Sequence, residues 1–556
     1  MVGRARRWLA QDPDPETRTE LEPLIAAAEA GDAAAAAGLG DRFGTRLAFG
    51  TAGLRGELGA GSNRMNRVLV AQAAAGLAAH LRDKAAPDAT PTVVVGYDGR
   101  RNSRVFAQDS AEIFAGAGLR AILLPRPLPT PVLAFAVRRL GADAGVMVTA
   151  SHNPPNDNGY KVYLGGADDG AQIVPPADAE IAAHIQRIAD EEDVTRLPRS
   201  VGYANAPESL VAAYVAATAA VSPAPAAAAD LKWVYTAMHG VGWETLSRIL
   251  DAAGYPAPTV VAAQIEPDAA FPTVAFPNPE EPGAMDLAFE TARETGAELV
   301  IANDPDADRL AVAIPDAEAD GGWRRLTGNQ IGLLLGWRAA RLAAEGGAGA
   351  EASLACSLVS SPGLRAVAEH YGLSFHATLT GFKWISRAPG LVFGFEEALG
   401  YLVNPETVRD KDGISAAIAM LGMASDARAR GTTVSALLDE FAETFGHFAS
   451  DQLSVRVDDL AVIGRIMTAL RERHPSHVGE VAVERVDDLL DGVDGLPPGD
   501  VLRLWLADGS RLIVRPSGTE PKLKLYLDAR GESGDDAAAR LTALTGGARA
   551  LLDAVS

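Results

Sequence analysis

The chain has 556 residues, 48% of them hydrophobic, with 50 basic and 72 acidic side chains for a formal net charge of −22. That length allows about three or four domains at roughly 150 residues each, and so acidic a chain is a poor general binder of nucleic acid or anionic membranes, so that any phosphate-bearing ligand must meet a few locally placed cations. The single cysteine, Cys356, rules out an intramolecular disulfide and a Cys-rich zinc site and suits a reducing cytoplasm.

Residues 21–40 are alanine-rich and predict one N-terminal helix; the basic start before them leads into an acidic, Pro-containing stretch rather than the apolar core of a signal peptide. Strand Thr92–Tyr97, helix Ser103–Gly118, strand Arg120–Leu124, helix Pro131–Leu140 and strand Gly145–Val148 follow. Alternation of this kind predicts βαβ units and a mostly parallel sheet. The Pro- and Ala-rich Ser222–Pro225 reads as a linker or loop. The same grammar recurs in strand Leu231–Tyr235, helix Trp243–Ala253, strand Val260–Ala263, helix Met285–Thr295 and strand Glu298–Ile301. It recurs once more in helix Gly328–Ala344, strand Ser353–Val359, helix Pro362–His370 and strand Leu391–Phe393. The last hundred residues differ. Leu453–Val457 alternates as a half-buried strand does, Leu460–Arg473 is a helix, and strands Leu502–Leu506 and Arg511–Val514 flank a hairpin signal at Asp508-Gly509. Strand Leu523–Leu527 and helix Asp536–Val555 complete an α+β block. The expected domains are three α/β units, 1–205, 206–322 and 323–450, and an α+β unit, 451–556. No stretch approaches the ~18 continuous apolar residues of a membrane helix, and the default is a soluble cytoplasmic protein.

Three segments carry chemistry. Thr149-Ala150-Ser151-His152-Asn153-Pro154 runs on through Asn156-Asp157-Asn158-Gly159 to Lys161, directly after a buried-looking strand. Ligands of open α/β sheets sit beyond the carboxyl ends of strands. Ser151 on this stiff loop is either a fixed nucleophile, activated by a base such as His152 or Lys161, or an ordinary turn residue. Asn303-Asp304-Pro305-Asp306-Ala307-Asp308-Arg309 again follows a strand. Aspartates at i, i+2 and i+4 of an extended chain point to one side, and their convergence asks for a cation. Mg2+ suits hard oxygen ligands; the other reading is a solvated acidic loop. An EF-hand is excluded, because Arg309 and Pro315 stand where it needs Gly and Glu. Arg515-Pro516-Ser517-Gly518-Thr519-Glu520-Pro521-Lys522-Leu523-Lys524 offers hydroxyls, backbone N–H groups and a guanidinium fork suited to a phosphate dianion, or else is a plain loop with an exposed arginine. Thr380-Gly381-Phe382-Lys383 and Phe395-Glu396-Glu397-Ala398 are weaker signals, one a cation at a turn and the other two carboxylates that could accept bonds from sugar hydroxyls. Phe49–Gly56 is Gly-rich and contains Arg55, but it does not fit the P-loop pattern.

In this order the motifs Thr-Ala-Ser-His-Asn-Pro, Asp-Pro-Asp-Ala-Asp-Arg and Arg-Pro-Ser-Gly-Thr-Glu-Pro resemble the α-D-phosphohexomutase superfamily, from Gly50 to Tyr526. The resemblance implies an α/β fold of three related α/β domains with mixed sheets, plus a C-terminal α+β domain, around a central cleft. It implies that Ser151 carries a phosphoryl group and that Mg2+ is held by Asp304, Asp306, Asp308 and an oxygen on Ser151. It implies phosphate binding by Arg515, Ser517, Gly518, Thr519 and Lys524, and substrate recognition by Arg309, Thr380, Gly381, Lys383, Glu396 and Glu397. Arg55 and Lys161 match positions with phosphate-orienting and acid–base roles, and His152 is the other candidate base. Many hexose mutases place a serine in the sugar loop where this chain has Ala398. The segments Leu379–Ile385 and Gly394–Ala398 look like the branch that also holds phosphopentomutases and sugar-bisphosphate synthases. The implied activity is a phosphosugar mutase, of phosphoglucomutase/phosphomannomutase type first and phosphopentomutase or bisphosphate synthase second; a non-enzymatic phosphosugar sensor ranks third. A sugar bisphosphate is the implied activator and a small phosphosugar the partner. Neither nucleic acid nor membrane is expected, and oligomeric state is left open.

Overall fold

The computed structural model describes residues 1–556 apart from 51–52, 192, 458–459, 518–521 and 556. The chain divides into two compact units, residues 1–326 with 400–426, and residues 327–399 with 427–556.

The first unit opens on three helices, Val2–Gln11, Pro15–Glu29 and Ala33–Phe43; the last two cover residues 21–40, where the alanine content suggested one. Aspartate caps open the second and third. The Asp14 and Asp32 side chains accept bonds from the first N–H groups of the second and third helices, which no longer need a partner further back in the chain. Gly31 takes a φ of +91° at the second break, a conformation cheap only for glycine.

The first sheet contains strands β1 (Leu54–Glu57), β2 (Thr92–Tyr97), β3 (Arg120–Leu123), β4 (Ala144–Val148), β5 (Asp157–Leu164), β6 (Ala171–Gln172) and β7 (Ala204–Asn205), in the order β1-β5-β4-β2-β3-β7 with β6 on β5. β2 pairs in parallel with β3 and β4, but β5 runs antiparallel to both β4 and β1. The sheet is therefore mixed rather than mostly parallel. The difference arises at the Ser151 loop, which returns the chain beside β4 as a hairpin instead of sending it over a helix. The second sheet has strands β8 (Trp233–Thr236), β9 (Thr259–Val260), β10 (Leu299–Asn303), β11 (Leu310–Pro315) and β12 (Trp323–Arg325), ordered β12-β11-β10-β8-β9. Its logic repeats that of the first: β8 and β10 are parallel, and β11 returns antiparallel after the Asp304 loop. β4 and β10 are buried along their whole length, so each leads from the interior of the sheet to the loop at its carboxyl end.

In the second unit β13 (Ser353–Ser357) pairs in parallel with β14 (Ser374–Thr378) and β15 (Leu391–Glu396). Thr327 and Gln330 form a reciprocal capping box at the start of the preceding helix, Gly328–Glu345. The chain returns to the first unit as β16 (Gly400–Leu402) and the start of helix Gly413–Ala429. The antiparallel sheet of the C-terminal part comprises β17 (His447–Arg456), β18 (His477–Val478), β19 (Val481–Asp488), β20 (Leu502–Leu506), β21 (Arg511–Pro516) and β22 (Lys522–Gly531) in the order β17-β22-β21-β20-β19-β18. Helix Gly534–Val555 follows it.

One close approach fixes the Asp304 loop. A Cβ added to Gly240 would lie 2.3 Å from the Cα of Pro305 and 2.4 Å from its carbonyl oxygen, and the Val241 N–H donates to that oxygen at 2.9 Å. Gly240→Ala must displace backbone, so it is expected to cost about 1–3 kcal/mol; a denaturant titration reads the loss as a lower midpoint at unchanged slope.

Candidate active site

Ser151 sits between β4 and β5 on a loop closed by bonds from Asn153 N to Ala150 O and from Asp157 N to Pro154 O, both 3.0 Å. Its backbone is left-handed, φ +52°, and its N–H donates to Thr149 Oγ1 at 2.8 Å. A non-glycine residue held this way costs of order 1–3 kcal/mol, a strain that persists only where the surroundings enforce it. The hydroxyl is 2% exposed; it donates to Asp304 Oδ2 at 2.7 Å and lies 3.2 Å from His152 Nδ1.

Asp304, Asp306 and Asp308 are each fully buried, and one oxygen from each lies within 4.8 Å of the others. They converge for a different reason than the extended spacing suggested. The segment is a turn: Ala307 N–H donates to Asp304 O at 2.8 Å and Ala307 has φ +54°. Asn303 braces the turn, accepting from Tyr235 at 2.9 Å and donating to Arg309 O at 2.7 Å. Thr130, at the start of helix Thr130–Arg139, donates its N–H to Asp306 O at 2.9 Å and its hydroxyl to Asp306 Oδ2 at 2.6 Å.

Lys161 on β5 reaches Asp306 Oδ2 at 2.8 Å and Asp308 Oδ2 at 2.9 Å. Lys411 stands 3.2 Å from the same Asp308 oxygen and 3.4 Å from Asp410. The carboxyls divide accordingly. Burial, and then Asp306 and Asp308, push Asp304 well above the usual carboxylate range. Burial opposes ionisation at Asp306 and Asp308, and Asp308 adds to it at Asp306, but Lys161 with Thr130 at the first, and Lys161 with Lys411 and Arg309 at the second, together bring both below the ordinary value. Burial works against charge on Lys161 as well, yet the two aspartates raise it, so this amine is held as an ammonium ion. His152 moves the other way: burial, then Arg309 and Arg55, hold it well below its usual value and neutral.

The residues fit a hard divalent cation. Asp306 Oδ1 and Asp308 Oδ1 are buried with no hydrogen-bond donor on them, and Asp304 offers an oxygen already within reach of Ser151. Four oxygens from these groups are the donor set such an ion takes.

Arg55, Ser151, His152, Lys161, Asp304, Asp306, Asp308 and Arg309 therefore meet in one unit. Arg55 is half-buried and donates to Asn153 Oδ1 at 3.1 Å; the Arg309 N–H donates to Asp304 Oδ1 at 3.0 Å. The remaining residues singled out in the sequence fall in the second unit. Gly381, φ +109°, precedes the short helix Phe382–Ile385, with Thr380 and Lys383 half-buried beside it. Glu397 Oε2 accepts from Ser357 at 3.1 Å and Ser360 at 3.0 Å. Arg515 on β21 is paired in register with Lys524 on β22, and Ser517 N–H donates to Lys522 O at 2.8 Å. Burial, followed by Glu397, raises the Tyr526 phenol, with Arg515 opposing and Glu396 adding to the rise; Leu379 packs against the cluster that contains Tyr526. The sugar-loop and phosphate-loop segments thus share one neighbour. Gly518 and Thr519 lie outside the described residues.

Sequence reasoning missed Lys411, Asp410 and Thr130. A signal existed for the first two: Arg409–Asp412 is a dense charged run directly before an apolar helix. Thr130 carries no such mark.

Four family descriptions match in succession: phosphoglucomutase/phosphomannomutase alpha/beta/alpha domain I over residues 46–192, domain II over 212–318, domain III over 327–445, and the C-terminal domain over 464–543. A probable phosphomannomutase of Haemophilus influenzae is 54% identical over 88% of this chain and 98% of its own. A mouse phosphopentomutase is 34% identical, covering 94% of this chain and 89% of its own, and a Staphylococcus epidermidis phosphoglucomutase is 34% identical over 87% and 90%. The crystal structure of a phosphoglucomutase/phosphomannomutase family protein from Burkholderia thailandensis shares the fold, with a TM-score of 0.69 at 21% identity over 92% of this chain and 98% of that one. With the hydroxyl, the acidic turn and all four domain matches in the expected order, the chain belongs to the phosphoglucomutase/phosphomannomutase family and is a phosphosugar mutase, an isomerase that moves a phosphoryl group within a sugar phosphate.

Proposed function

We propose that Ser151 is the phosphoryl carrier, that the chain interconverts hexose 1- and 6-phosphates of the glucose or mannose type, and that Mg2+ is its metal. The observation that carries this reading is the 2.7 Å contact between Ser151 Oγ and Asp304, inside a buried trio of carboxylates. In the forward half-reaction the P–Oγ bond of phospho-Ser151 breaks as a bond forms between phosphorus and the free hydroxyl of the sugar monophosphate. Oγ keeps the electron pair, and the hydroxyl proton passes to a base. His152, neutral and 3.2 Å from Oγ, stands at the leaving oxygen and suits the matching role in the return step, taking the Oγ proton when Ser151 is the nucleophile; Lys161 is held as an ammonium between two aspartates. The resulting sugar bisphosphate turns over, and its other phosphate returns to Ser151 by the reverse step, so a sugar bisphosphate also serves as activator of unphosphorylated enzyme. Mg2+ held by Asp304, Asp306, Asp308 and the Ser151 oxygen supplies charge neutralisation on the transferring group. Arg55 and Arg309 orient the phosphoryl oxygens, since positioning and charge compensation dominate this chemistry.

The non-reacting phosphate is assigned to Arg515, Ser517, Gly518, Thr519 and Lys524, and the sugar hydroxyls to Thr380, Gly381, Lys383, Glu396 and Glu397. A dianion is the one group present at both ends of the turned sugar, so a single phosphate site serves both poses. The domain limits follow as 1–205, 206–322, 323–450 and 451–556, and the buried free thiol of Cys356 fits work in the cytoplasm. The hexose assignment leans on the 54% identical phosphomannomutase; Ala398 in the sugar loop keeps a pentose phosphate as the second reading.

Ser151→Ala is expected to lower turnover by about 10⁴-fold or more and to erase a single phosphate seen by intact-mass measurement of the wild type; a variant keeping a tenth of the rate contradicts the assignment. Asp306→Asn should weaken magnesium activation by at least the ~10–100-fold typical of damage around a metal ligand, and an unchanged magnesium titration counts against the metal site. Comparing kcat/KM on glucose-, mannose- and ribose-1-phosphate, with catalytic bisphosphate supplied, is expected to favour a hexose. Preference for ribose-1-phosphate would move the enzyme to the pentose branch, accumulating bisphosphate would make it a synthase, and released inorganic phosphate would make it a phosphatase.

A further inference from the structure

Arg100 lies outside the machinery described so far, and its surroundings are unusual. It follows β2, one strand over from the Ser151 loop, and is 4% exposed. Its guanidinium meets four backbone carbonyls of that single loop. One terminal nitrogen donates to Ser151 O and Asn153 O, both at 2.6 Å; the other donates to Pro154 O at 2.8 Å and Asp157 O at 3.2 Å. Behind it, Asp98 accepts the Arg100 N–H at 3.0 Å and the Ser103 hydroxyl at 2.6 Å, with its second oxygen 3.6 Å from Arg100 Nε. Phe271 covers the guanidinium face at 4.9 Å. Thr149 Oγ1 accepts the Ser151 N–H. Ser151 is thus gripped on both sides, its N–H by Thr149 and its carbonyl by Arg100.

We propose that Arg100, backed by Asp98, is the positioning residue that holds Ser151 in its left-handed conformation and so aims Oγ at Asp304 and the transferring phosphoryl group. The inference rests on the reading of Ser151 as phosphoryl carrier. A left-handed serine relaxes unless its neighbours forbid it. Here the fork supplies donors to the Ser151 and Asn153 carbonyls and a second donor to the Pro154 carbonyl, which also accepts the Asp157 N–H, so it ties the start and the end of the loop together. Only a planar guanidinium serves four acceptors from one place; the ammonium of lysine has three donors around one point. Substrate phosphate and sugar are assigned to other residues, so a loosened loop lowers the rate of transfer without weakening binding.

The test measures kcat and KM for the preferred phosphosugar in Arg100→Met and Arg100→Lys, per mole of folded enzyme and well below each variant's melting temperature. Both are expected to lose at least tenfold in kcat with KM within threefold of wild type. A kcat within twofold of wild type, or a KM that rises while kcat holds, overturns the proposal. Should Arg100→Met not fold, Asp98→Asn keeps the side-chain shape and removes only the charge behind the fork; it is expected to lower kcat about fivefold at constant KM, and an unchanged kcat there also overturns it. The wild type separates this from the parent reading. An enzyme that neither isomerises phosphosugars nor carries phosphate on Ser151 defeats the carrier assignment, whereas an active wild type matched by its Arg100 variants defeats the Arg100 assignment alone.

Discussion

The first unit is organised around an electrostatic problem. Three carboxylates, each buried and all within 4.8 Å of one another, repel by about 3–4 kcal/mol per pair at an effective dielectric near 20, on top of the cost of leaving water. Residues from distant parts of the chain answer that repulsion. Lys161 comes from β5 of the first sheet, Lys411 from the segment before helix Gly413–Ala429, and Thr130 from the start of a helix in the first sheet's layer. Each arrives only if its own element is correctly placed. The acidic turn therefore ties the two sheets together by charge.

Much of this could be read from sequence where the signal is contiguous. The Ser151 loop and the aspartate triplet each follow an apolar strand within a handful of residues, and the hairpin at Asp508-Gly509 carries its own turn chemistry. What escaped is what folding assembles across sequence. Lys411 lies more than a hundred residues from the acid it neutralises, and Arg100 about fifty from the loop it clasps. Two local details were also misread for physical reasons. The aspartates converge through a left-handed residue at Ala307 rather than through strand alternation, because Pro305 and the Asp304 carbonyl close a turn there. The alanine-rich stretch 21–40 falls into two helices, broken at Gly31, because Asp32 offers a cap that outweighs alanine's preference to continue.

In the second unit two serines fix Glu397. Ser357 and Ser360 both bond the same carboxylate oxygen, and Ser360 also receives the Glu397 N–H. Ser360 is tied in turn through its carbonyl to Arg511 of β21, which is paired with Asp528 at 2.7 Å. The strand that leads to Arg515 and the loop that presents Glu397 are therefore linked by one short run of polar contacts.

Lys411 has a neighbour that deepens its meaning. Asp412, the next residue, accepts the N–H groups of Ile414 and Ser415 at 3.0 and 2.9 Å and the Tyr214 hydroxyl at 3.0 Å, so it anchors the head of helix Gly413–Ala429. The ammonium beside Asp308 is thus mounted on a rod rather than carried by a free loop. Sliding that rod by a single residue would withdraw a unit of positive charge from Asp308, so part of the compensation that Lys161 leads there depends on the seating of one apolar helix.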